Sequence, residues 1–99
     1  MRITPRQHQA ILRAVREVFG DTATVRLFGS RAHDHLRGGD IDLYVRLPTA
    51  EPQAHALASR LVARICTLLG EVMPIDVVVR DAHTPVQAIH LEGEKGILL

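Results

Sequence analysis

The chain has 99 residues, 46% hydrophobic and 23% charged, which suits one folded soluble domain over residues 1–99 and excludes a disordered segment. A net charge of +1 and only 3% aromatic residues, with no Trp, exclude a basic field for nucleic acid and a stacking platform for single strands. No apolar run reaches the ~20 residues of a membrane span. The polar start "MRITPRQHQ" is unlike a signal peptide, so a cytoplasmic protein with no membrane partner is expected.

The first element is a helix. Thr4-Pro5-Arg6-Gln7 has an N-cap, a proline at the first helical position and a glutamine at the third. Ile11, Leu12, Val15, Val18 and Phe19 then recur at helical spacing up to Gly20. Two β-type runs follow, "TVRLF" (24–28) and "IDLYVRL" (41–47). A second helix after Thr49 carries the stripe Ala54, Leu57, Ala58, Leu61, Ile65 and Leu68 and stops at Gly70; Arg60 and Arg64 are expected on its outer face. Its lone cysteine, Cys66, reads as a small core side chain. The run "IDVVVR" (75–80) is a third strand, and Thr84-Pro85-Val86-Gln87 repeats the first cap signature for a helix ending near Gly93.

Side chains alternate along a strand, so each run divides into two faces. Val25 and Leu27, Ile41, Leu43, Val45 and Leu47, and Ile75, Val77 and Val79 form one apolar set. The other set is mixed, and it contains Asp42 and Asp76, with Tyr44 either lining a cleft or packed on the sheet. Asp40 joins them if the strand extends that far back. The expectation is an α/β (α+β) fold, a sheet of three or more strands with helices on one face and an open face on the other.

Two carboxylates at i and i+2 repel, which raises their pKa values unless a cation lies between them. Mg²⁺ prefers carboxylate oxygens and keeps positions for water and substrate phosphates. Asp76 offers a third ligand, and such a set suits in-line phosphoryl or nucleotidyl transfer. Gly29-Ser30 supplies the complementary half: glycine permits close backbone approach, and Ser30, capping a short turn through Arg31-Ala32-His33, can donate to a phosphate. Arg31 either steadies a triphosphate or lies on the surface. His33-Asp34-His35 raises a zinc reading against that of a polar loop, and nothing else in the chain supports zinc. Asp34 and Asp81 read as solvent-facing, and the scattered His8, His55, His83 and His90 as surface or cap residues. The apolar ending "GILL" either docks on the core or meets a partner, with the partner favoured.

"GSRAHDHLRGGDIDL" together with "IDVVV" resembles the Gly-Ser…Asp-x-Asp signature of the polymerase-β-like nucleotidyltransferase superfamily, and size and element order resemble its minimal (MNT) branch. The resemblance spans nearly the whole chain. It implies a small nucleotidyltransferase fold, catalytic and Mg²⁺-binding roles for Asp40, Asp42 and Asp76, and nucleotide binding at Gly29 and Ser30. It also implies ATP as co-substrate and a HEPN-domain toxin as partner in a hetero-oligomer, the chain acting as an antitoxin that transfers AMP to a toxin tyrosine. Many relatives carry a small basic-Gly step where this chain has His33-Asp34-His35, which puts an acid beside the phosphate site. The rival reading is an antitoxin that acts by steric occlusion. A third, transfer to a small molecule, is disfavoured by the little room at this length for a substrate-binding domain.

Overall fold

A computed structural model describes residues 1–34 and 39–99. Helix α1 (Pro5–Phe19) starts where the cap signature places it: the Thr4 hydroxyl accepts from the Gln7 amide at 3.0 Å, and the Gln7 side chain accepts from the Thr4 amide at 2.9 Å. Ala10, Ile11, Ala14 and Val15 form its buried stripe. Helix α2 (Ala54–Leu69) buries Leu61, Ile65 and Leu69 and ends in the left-handed Gly70 (φ 72°). The two helices pack together on one face of a sheet, and Arg64 of α2 reaches Glu17 of α1 at 2.5 Å. An exposed pair of that kind contributes little to stability.

Strands β1 (Thr24–Phe28), β2 (Ile41–Arg46) and β3 (Ile75–Arg80) match the sequence reading to within one residue. A two-residue β4 (Ile97–Leu98) completes the order β3-β2-β1-β4. β1 runs antiparallel to β2 and β4, whereas β2 and β3 are parallel. A parallel pair needs a long crossover, and α2 provides it. Val25, Leu27, Ile41, Leu43 and Val45 are buried against α1 and α2, so the apolar parity set is the core.

The last part of the chain departs from expectation twice. Helix α3 (Ala88–Glu94) begins four residues after Thr84, because the Thr84 hydroxyl donates instead to the Asp81 carboxylate at 2.6 Å. His90, buried, accepts from the Gln87 amide through Nδ1 at 3.0 Å and so caps the helix start. The C-terminal residues dock: Ile97 and Leu98 pair with Leu27 and Arg26, and Leu99 packs against the core.

α3 lies across the mixed face, where Gly93 sits on the Tyr44 ring so closely that a Cβ would collide with it. Tyr44 is packed rather than cleft-lining, 1% exposed, its hydroxyl donating to Glu94 at 2.8 Å. The mixed face therefore stays open chiefly at its aspartate end. Among the described residues no helix is long and apolar enough to cross a membrane.

Candidate active site

The site begins at the end of β1. Gly29 opens a short 3₁₀ turn (Gly29–Ala32) with φ 71°, a left-handed conformation that glycine alone adopts without strain. A Cβ there would also run into the Asp42 carboxylate. The glycine thus sets both the direction of the turn and its close approach to the acidic strand. Ser30 lies inside the turn rather than capping it: the Ser30 carbonyl accepts from the His33 amide at 3.2 Å.

Asp42 is the second residue of β2 and the direct register partner of Asp76 in β3. Both project from the mixed face. Asp42 is half-buried, while Asp76, and Asp40 just before β2, are exposed. Partial burial of Asp42 raises its carboxyl above the ordinary value, and the negative charges of Asp76 and Asp40 push the same way. Asp42 is thus close enough to both neighbours to feel their charge, as expected of groups collected for a cation.

The fit to a metal is one of donor chemistry. Among the described residues no three His, Cys, Asp or Glu side chains gather into a ready-made cage. The donors are nevertheless all hard oxygens, their repulsion is of the kind a dication removes, and Mg²⁺ completes its shell with water and phosphate oxygens. Asp40, Asp42 and Asp76 are the residues that would hold such a cation, which would neutralise phosphate charge.

Beside the turn lies a groove of about 470 Å³, with Gly29, Ser30 and His33 on one wall and Glu92, Lys95 and Gly96 on the other. The second wall has no signal in the sequence, since nothing in a two-residue strand pattern announces that the chain end folds back beside residue 30. Arg31 is occupied: its Nη1 donates to the Arg2 carbonyl and its Nη2 to the Gly39 carbonyl, each at 2.9 Å. His33 is exposed; His35, the other half of the zinc reading, lies outside the described residues, as does Gly38. Asp81, expected to face solvent, instead organises a turn, accepting from the Glu51 and His83 amides at 2.7 and 3.0 Å as well as from Thr84.

A profile of the nucleotidyltransferase domain matches residues 8–96. The chain belongs to that family. No curated protein is similar enough to this chain to count as a relative. The match takes in the acidic strands, the Gly29–Ser30 turn and the groove, so this nucleotidyltransferase domain carries its candidate site inside the matched region. Transfer of a nucleotidyl group is the general chemistry that membership supports.

Proposed function

We propose that this chain is a cytoplasmic, Mg²⁺-dependent nucleotidyltransferase antitoxin that transfers AMP from ATP to a tyrosine hydroxyl of a partner HEPN-domain ribonuclease, neutralising it within a hetero-oligomer. One observation carries the reading: a register pair of carboxylates, Asp42 and Asp76, stands at an uncovered sheet end beside a glycine-dependent turn. Because Asp40 and Asp76 are exposed, an acceptor hydroxyl reaches them from outside, as a side chain on another protein's surface would.

In this scheme the backbone amides of the turn and the Ser30 hydroxyl seat the β- and γ-phosphates, and Asp40, Asp42 and Asp76 would hold Mg²⁺, which would neutralise phosphate charge. Asp76 helps take the acceptor proton. The acceptor oxygen forms a bond to the α-phosphorus, the bond to the β-phosphate oxygen breaks, and pyrophosphate leaves. Positioning and charge neutralisation carry the chemistry, so no covalent nucleophile is needed.

The second reading is neutralisation by binding alone. It draws on the lack of a preformed acidic cage among the described residues and on the exposed Ile89, Leu91 and Leu98, which offer apolar contact area. Incubation of the chain and the ribonuclease with labelled ATP and Mg²⁺ separates the two. Label on the ribonuclease that disappears with Asp40→Ala/Asp42→Ala supports transfer. Neutralisation by that variant, with no label in any sample, supports occlusion.

A further inference from the structure

Arg31 connects three stretches of chain. Its two Nη groups donate to the carbonyls of Arg2 and Gly39, and its own carbonyl accepts from the Arg2 amide at 2.7 Å. One planar cation therefore joins the segment before α1, the turn that carries Gly29 and Ser30, and the residue that precedes Asp40. The Nε–H is buried without an acceptor among the described residues, where its hold comes from the two Nη contacts. The groove beside the turn has a different cation on its far wall, Lys95.

We propose that Arg31 is a positioning residue for nucleotidyl transfer: its guanidinium fixes the distance between the phosphate-seating turn and the Asp40 arm. The inference rests on the nucleotidyl-transfer reading of the site. In-line displacement needs the phosphates and the carboxylates that hold their counter-cation in one geometry, and these two halves come from separate loops. A guanidinium holds its donors in a rigid fork that bridges two carbonyls at once; a lysine keeps the charge but is a single compact point on a flexible stem. The two roles open to Arg31 thus respond differently to Arg31→Lys. A phosphate ligand keeps much of its function as lysine, whereas a bridge does not.

The test is single-turnover and steady-state transfer from labelled ATP to the partner ribonuclease by wild type, Arg31→Lys and Arg31→Met. The expected result is a fall in the transfer rate of about 10²-fold in both variants, the loss that misplacement of about 1 Å produces. KM for ATP should stay within about threefold of wild type. A rise in KM at preserved kcat in Arg31→Met, restored by Arg31→Lys, makes Arg31 a phosphate ligand and overturns the inference. Unchanged kinetics in both variants overturn it as well. Should the variants not fold, NMR on the wild type serves. Added Mg²⁺ and a non-hydrolysable ATP analogue should shift the Gly29 and Ser30 amides and leave the Arg31 guanidinium signals in place. Guanidinium signals that move on nucleotide addition refute the positioning role alone. A wild type with neither transfer nor any nucleotide-dependent shift refutes the nucleotidyl-transfer reading, and this inference with it.

Discussion

Asp42→Asn tests the acidic site through stability as well as activity. Register partners on adjacent strands lie ~4.8 Å apart, so the Asp42 and Asp76 charges stand roughly 5 Å from each other. At that separation the repulsion is about 0.8 kcal/mol with the dielectric of water and about 3 kcal/mol at an effective value of 20. Asp76 is exposed, so solvent screening puts the repulsion near the lower figure. Partial burial of the Asp42 charge acts in the same direction, and removing that charge should stabilise the metal-free protein by about 1 kcal/mol near neutral pH.

The pH dependence fixes the sign. With its folded pKa raised above the ordinary 3.8, wild-type Asp42 favours the folded state most at low pH and loses that advantage as pH rises through the raised value. The stability gap between Asp42→Asn and wild type should therefore be negligible below pH 3.8 and widen towards neutrality. Urea denaturation at several pH values measures it. Mg²⁺ at ten times its dissociation constant should stabilise wild type by about 1.4 kcal/mol and the variant less, while transfer activity is lost. An Asp42→Asn protein that is less stable than wild type in the absence of metal, or equally stabilised by Mg²⁺, would falsify the repelling-carboxylate account.

Gly29→Ala should cost roughly 1–2 kcal/mol for the left-handed backbone alone, and should lower transfer by displacing the Asp42 carboxylate; a variant as stable and active as wild type in denaturation and rate assays refutes that role. The Asp81 carboxyl is held down to about 2, first by the Glu51 amide and then by Thr84, so it supports the fold above pH 3.8 and stops doing so as pH falls towards that lower value. Asp81→Asn should accordingly flatten the acid limb of the unfolding profile, and Asp81→Ala should speed hydrogen exchange at the Glu51 amide. Exchange unaltered in Asp81→Ala would show that the turn holds without its carboxylate.

Strand positions were legible because alternation is local: 24–28 and 75–80 match the observed limits, and parity alone put Asp42 and Asp76 on one face. That they are direct register partners depends on how β2 and β3 align after the α2 crossover, which no local pattern encodes. The start of α3 was misplaced because Thr84-Pro85 is a sound cap signature in isolation; the Asp81 carboxylate, in a loop, took the hydroxyl that the cap required. β4 was missed because a two-residue strand has no periodicity, and its pairing with Leu27 joins positions 70 residues apart. Arg31 shows the same limit within the site. Its partners are main-chain carbonyls of residues 2 and 39, and carbonyls leave no mark in a sequence.

The division of the mixed face by α3 has an electrostatic consequence. Asp40, Asp42 and Asp76 lie at one end of the sheet, while Arg46 and Arg80 stand at the other, offset in part by Glu94, and Arg26 lies midway as the register partner of Tyr44. Asp42 and Arg46 are four residues apart on one strand, or ~13 Å. A chain whose formal charges sum to only +1 thus holds acidic and basic side chains apart on one face of its sheet. Such a separation of charge exerts a torque on a charged body approaching within about a Debye length, ~8 Å at physiological salt. Mutual orientation then precedes contact, and the rate of encounter depends on ionic strength even though the molecule as a whole is nearly neutral.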